Sequence, residues 1–202
     1  MTLVRNSWVL LLSLVVASAA EKDAKFSVQP ASSYPNRQSG EGVTIAAQVF
    51  ETADRARTAF GKVNPNEHGV LPVLVVIQND TGKAIRLDEM RVEYLNADRS
   101  QIEATPAEDV PYIYGNKNRK VRQSPIPTGI PSISKSKNPL AAFEIQSRAF
   151  AAKMLTPGES AHGFFYFQTG HRSGSKLYIT GLKIAGGKDL FFFEIPLENV
   201  AR

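Results

Sequence analysis

The sequence predicts a mainly β fold: an antiparallel β-sandwich of about seven strands with one or two short inserted helices. Three observations carry this. The last third consists of short apolar runs, "AHGFFYFQT", "SKLYITGLKI" and "DLFFFEIPLE", separated by glycine-bearing turns, a spacing typical of antiparallel sheets and foreign to βαβ units. Val70 to Gln78 is almost entirely apolar, as a central strand covered on both faces must be. In "VTIAAQVF", Val43, Ile45, Ala47 and Val49 alternate with a period of two, the mark of a strand with a buried face. No internal repeat emerges, and a strongly curved barrel is the competing architecture.

Met1 to Ala20 reads "MTLVRNSWVLLLSLVVASAA", with Arg5 ahead of an apolar run from Trp8 to Ala17 and small residues at Ser18, Ala19 and Ala20. It is expected to be a secretory signal peptide cleaved after Ala20. Its apolar run is too short for a membrane-spanning helix, and no later segment is longer. Glu21 to Gly42 lacks periodicity and is rich in Ser, Pro, Gly and charge, so it is read as a flexible N-terminal lead-in with Phe26 and Val28 as docking points. Residues 43–202 are expected to form a single β-sandwich domain with a basic, proline-rich loop at 115–139.

Within that domain, Ala53, Ala56 and Phe60 are spaced for a turn or a short helix, and Gly61, Asn64-Pro65 and Gly69 make the connection that follows irregular. Pro72 belongs near the start of the Val70–Gln78 strand because it cannot donate to a ladder. Asn79-Asp80-Thr81-Gly82 forms a turn. Met90, Val92 and Tyr94 alternate with Arg91, Glu93 and Leu95 in a half-buried strand, which turns at Ala97 to Ser100 and returns from Gln101 to Ala104. Thr105, Pro106 and Glu108 read as a helix cap, with Pro111 limiting the helix to about one turn. Leu140, Phe143, Ser147, Phe150 and Met154 share a helical face, against a strand reading that uses Phe150, Ala152 and Met154. The aromatic runs Phe164 to Phe167 and Phe191 to Phe193 are assigned to two central core strands.

The chain has no cysteine, which excludes thiolate catalysis, cysteine zinc sites and disulfide staples. The net charge is +5, yet Gly115 to Pro139 alone contributes +6 through Lys117, Arg119, Lys120, Arg122, Lys135 and Lys137, so the remainder is slightly acidic. These six residues are the candidate anion-binding site. Pro125, Pro127, Pro131 and Pro139 forbid a regular helix there, so binding would use an extended chain. Tyr112 and Tyr114 immediately precede the segment. A solvated loop whose charges maintain solubility is the competing account.

Other chemistry is thinly represented. His68, His162 and His171 have no metal-ligand spacing, and the last two flank one strand. No Gly-x-Ser-x-Gly and no phosphate-binding glycine loop occurs; "RSGSK" reads as a hairpin turn, and Ser134 with Lys137 lacks a helix beneath it. The acids Asp88, Glu89, Glu108, Asp109 and Glu159 lack the surrounding Trp and Tyr of a sugar cleft, and the one Trp, Trp8, lies in the signal segment. No catalytic residue, metal or cofactor is assigned.

Two stretches, "RAFAAKMLTPGESAHGFFYF" (Arg148 to Phe167) and "AFGKVNPNEHGVLPVLVVIQNDTGKAIRL" (Ala59 to Leu87), resemble exported bacterial proteins of uncharacterised function, often lipoproteins. In those proteins an "AFG" phrase precedes a glycine-and-leucine turn and a valine-rich strand ending in Asn-x-(Ser/Thr)-Gly. A Pro-Gly-Glu turn then precedes a Gly-Phe-(Phe/Leu)-Tyr-Phe strand. The resemblance implies an immunoglobulin-like β-sandwich at the cell envelope and brings no catalytic residue. It covers about half of the chain that follows the signal segment. This sequence departs from it in having no cysteine to lipidate and in carrying the basic segment.

The functional expectation is an exported, non-enzymatic binding or structural module of the bacterial cell envelope, periplasmic or extracellular. Its partner would be an envelope protein or an anionic polymer; nucleic acid is not an expected partner. The alternatives are a hydrolase of envelope polymers using an acid with His68, and a self-assembling envelope protein that pairs through an open edge strand.

Overall fold

The computed structural model describes residues 26–117, 138–187 and 192–198. Among these the chain is predominantly β, with eleven strands in three antiparallel sheets and a few short helices. The strands are β1 (Arg37–Gly40), β2 (Val43–Val49), β3 (Leu71–Asn79), β4 (Ile85–Arg86), β5 (Arg91–Leu95), β6 (Gln101–Glu103), β7 (Met154–Leu155), β8 (Ser160–Phe167), β9 (Lys176–Thr180), β10 (Lys183–Ile184) and β11 (Phe193–Pro196). One sheet has the order β1-β2-β3-β8 and a second β11-β9-β5-β6, while two-residue strands make a small third sheet, β10-β4-β7.

Strand β3 forms as predicted. Seven of its nine residues are apolar, Pro72 sits second, and both faces are covered. One face contributes Leu71, Val73, Val75 and Ile77 to a core shared with Val92 and Tyr94 of β5, Leu177 and Ile179 of β9, and Phe193 and Ile195 of β11. The two four-stranded sheets therefore face each other across one apolar layer. The other face, with Leu74 and Val76, meets a second cluster built from Phe60, Val110, Leu140 and Ile145 of a helical layer. That layer comprises α1 (Ala53–Phe60), α2 (Val110–Lys117), α3 (Phe143–Ser147) and short 3-10 turns at Ala31–Ser33, Pro65–His68 and Pro139–Ala141.

Several local expectations shift. Regular structure begins before Val43: Ala31 is fully buried and β1 pairs with β2, Arg37 opposite Ala46, because a lone β2 edge would leave its amides unpaired. Thr105 does not cap a helix. Its N–H donates to the Tyr166 carbonyl at 2.7 Å, carrying the chain from the β6 sheet to the β8 sheet. The helix starts instead at Val110, so Pro111 opens it rather than ending it, in the first turn where a missing N–H costs nothing. The long helix face after Pro139 is broken: α3 ends at Ser147, and Met154 lies in β7.

The aromatic strands β8 and β11 lie at the edges of their sheets, not in the middle. The β8 edge is covered, since Phe164 donates to the Arg148 carbonyl and Phe150 donates back to the Phe164 carbonyl. This close approach requires Gly163, where a Cβ would overlap the Phe150 backbone. Asn79 ends β3 fully buried. Its Nδ2 donates to the Lys83, Leu155 and Thr156 carbonyls and its Oδ1 accepts from Thr81, which joins the first sheet to the small one.

Gly163→Ala is expected to lower unfolding free energy by about 3 kcal/mol in urea titrations, whereas Gly170→Ala, with open space around it, should change it by under about 0.5 kcal/mol. Tyr166 supplies a pH test. Its hydroxyl donates to the Ile145 carbonyl at 2.6 Å, and burial pushes its phenol well above the ordinary range against the opposing charge of Arg148. A raised folded value means the folded state holds its proton where the unfolded chain loses it. This contribution is therefore intact below about pH 10 and is lost as pH rises toward the folded value. Stability measured on either side of about pH 10 should fall more in the native protein than in Tyr166→Phe.

Candidate functional site

The basic segment is reached through α2 and left through the Pro139–Ala141 turn. These two elements pack together, and Asn138 locks them by donating from Nδ2 to the Pro111 carbonyl at 2.6 Å while its Oδ1 caps Leu140. The chain thus returns at Asn138 beside the first turn of α2, the helix whose last residue is Lys117. Of the six candidate cations, Lys117 is the last residue of α2, and Arg119, Lys120, Arg122, Lys135 and Lys137 lie outside the described residues. Two large side chains stand exposed beside this place, Tyr112 at 73% and Phe143 at 77%. Tyr114 turns inward and meets the His68 ring edge-on at 5.2 Å.

The three histidines occupy three different settings. His68 closes a 3-10 turn, and its neighbour Glu67 accepts from Asn64. His162 is exposed on β8. His171 lies in the connection between β8 and β9 with its side chain only 6% exposed. The Tyr94 hydroxyl accepts from the Arg172 N–H at 3.0 Å and meets His171 Nδ1 at 3.2 Å, while His171 Nε2 lies 4.0 Å from the Glu51 carboxylate. This chain of polar groups ties the β8–β9 connection to β5 and to the start of α1. Among the described residues no group of three or more His, Asp or Glu gathers to hold a metal.

Three of the five candidate carboxylates, Asp88, Glu89 and Glu159, have local partners, while Glu108 and Asp109 line cavities beside Pro106. Asp88 receives both Arg86 Nε and a guanidinium N–H, and that hydrogen bonding holds it below the usual carboxylate range. Glu89 pairs with Lys183 at 2.7 Å. Glu159 folds back across the Thr156-Pro157-Gly158 turn to accept from the Thr156 N–H, and its carboxyl is lowered by that contact. None of the cavities described here contains His68.

Three features escape the sequence reading. At the corner where β6 and β8 diverge, a groove of about 630 Å³ has Met90, Phe150 and Phe165 among its walls, with Glu93 and Glu103 at directly opposed strand positions. Phe150 and Phe165 stack at 5.3 Å. A second cavity of about 790 Å³, beside the segment from Ser27 to Arg37, has Arg37, Arg55, Glu198 and neutral polar and apolar residues of β2 in its walls. The third is the Tyr94–His171 network itself. No local pattern marks any of them, because each joins residues far apart in the chain.

No protein-family model and no curated protein matches this chain. Among solved structures, a functionally unknown protein from Listeria monocytogenes EGD-e is similar over 80% of this chain and 82% of that one, at 14% identity and a TM-score of 0.33, a likeness too weak to support an argument.

Tyr94→Phe should cost about 1–3 kcal/mol in chemical denaturation, because it strands the Arg172 N–H and the His171 Nδ1 in a buried site. An unchanged midpoint would show that neither group depends on the hydroxyl.

Proposed function

We propose that the protein is an exported, non-enzymatic binding module of the bacterial cell envelope, an immunoglobulin-like β-sandwich that engages an anionic partner. The observation that carries this reading is the concentration of charge in residues 118–137, a segment entered from α2 and left into the Pro139–Ala141 turn, which packs against α2 with Asn138 bonded to the Pro111 carbonyl. Five of the six clustered cations fall in that interval and the sixth, Lys117, stands at its base. Exposed Tyr112 and Phe143 flank it and offer apolar contact next to the charge. Attraction of this kind is long-ranged, weakly specific and weakened by salt.

The test is co-sedimentation of the purified protein with isolated cell-envelope fragments, beside a variant with Lys117, Arg119, Lys120, Arg122, Lys135 and Lys137 replaced by Gln. Binding is expected to fall roughly tenfold in the variant, and native binding to weaken as salt rises through the physiological range. Equal binding by the two proteins at low and moderate salt would refute the electrostatic reading.

A further inference from the structure

Tyr112 and Phe143 are the two most exposed large apolar side chains among the described residues, at 73% and 77%. Each stands on a short helix whose other side is buried. Helix α2 sinks Val110 into the cluster over the outer face of β3 and packs Ile113 and Tyr114 against it, and α3 sinks Ile145 into the same cluster. Side chains that these helices turn away from the cluster therefore emerge on the outer surface of the helical layer. The two positions are also linked through the chain: Pro111, next to Tyr112, accepts from Asn138, and Leu140, three positions before Phe143, is buried in that same cluster. Among the described residues neither the Tyr112 nor the Phe143 ring meets another ring or a cation.

Charge along this part of the chain has one sign. Between Val110 and Phe143 the sequence holds Lys117, Arg119, Lys120, Arg122, Lys135 and Lys137 and no Asp or Glu. Glu108 and Asp109 lie just before that interval and Glu144 just after it, which leaves three cations in excess over residues 108–144.

Resting on the anionic-partner reading above, we propose that the partner is an anionic lipid surface, on which Tyr112 and Phe143 enter the headgroup boundary while the cations meet lipid phosphates. The exposed phenylalanine decides between a bilayer and a soluble polymer. Its ring has no donor or acceptor, and a chain of charged units leaves it in water, whereas the boundary of a bilayer removes it from water. A tyrosine, with an apolar ring and a polar tip, suits the headgroup level. Cations beside an anionic membrane add attraction that salt screens, and stable attachment needs both signals together. Contact is peripheral, since among the described residues no helix is long and apolar enough to cross a membrane.

The experiment uses the protein recovered after export, phosphatidylcholine vesicles with and without phosphatidylglycerol, and soluble polyphosphate as a bilayer-free anion. Native protein should sediment with the phosphatidylglycerol vesicles about tenfold more strongly than with phosphatidylcholine alone. Tyr112→Ser combined with Phe143→Ser should weaken vesicle binding about tenfold and leave polyphosphate binding unchanged. Both side chains are exposed, so the unfolding midpoint of this variant should match that of native protein. Phe143→Trp keeps an aromatic ring at the site and reports independently: Trp8 in the signal segment is the one natural Trp, so the new indole is the only one in the exported chain. Its emission should shift to the blue on phosphatidylglycerol vesicles and stay in place with polyphosphate. Undiminished vesicle binding by the double variant, or an equal emission shift with polyphosphate, would overturn the lipid assignment and leave a soluble anionic polymer as the partner. Absence of native binding to phosphatidylglycerol vesicles, with envelope fragments still bound, would overturn it and leave the anionic-partner reading standing. Equal vesicle binding by the variant with all six cations replaced by Gln would overturn both.

Discussion

Strand β3 must be buried on both faces at once, and the arrangement of the molecule follows from that requirement. Each of its fully buried Val, Leu and Ile side chains contributes about 1.5–3 kcal/mol relative to exposure, so neither face can be left to water. One face recruits the β11-β9-β5-β6 sheet, and the other recruits the helices and the early turn at Ala31–Ser33. Flanking strands β2 and β8 satisfy its backbone along nearly its whole length, Val75 lying between Ala47 and Gly163. A three-layer ordering of helices, sheet and sheet is the simplest arrangement that covers such a strand.

The same requirement explains the residues that connect the parts. Asn79 ends the strand in a fully buried position, where an amide survives only if every donor and acceptor is met, and meeting them fastens the following turn at Thr81 and Lys83 and the distant Leu155–Thr156 pair to the end of β3. Gly163 lets the Arg148–Phe150 segment lie directly against β8, which closes an edge that an aromatic strand would otherwise expose. The Asn-x-Thr-Gly and Pro-Gly-Glu phrases that carry the family resemblance therefore have architectural roles here: a buried amide hub, and a turn closed by Glu159.

The base of the basic segment lies on the helical-layer side, where α2 and the Pro139–Ala141 turn pack together. Charge in the basic segment was legible because six cations crowd into one interval. The burial of His171 is illegible in the sequence, because a histidine in a connection is covered only by something distant, here Tyr94 from 77 positions away.

From the sequence alone came the β class, the two-faced strand, the helix at Ala53–Phe60 and the strands at Val43–Val49 and Arg91–Leu95, since periodicity and turn chemistry act over a few residues. Tertiary structure decided what periodicity leaves open: that β8 and β11 are edges, that Pro111 begins a helix, and that residues before Val43 join the sheet. These depend on which surfaces meet, and the same local pattern is compatible with a central strand or a covered edge. The choice between them is made by contacts between residues remote in sequence, such as Gly163 with Phe150 and Thr105 with Tyr166.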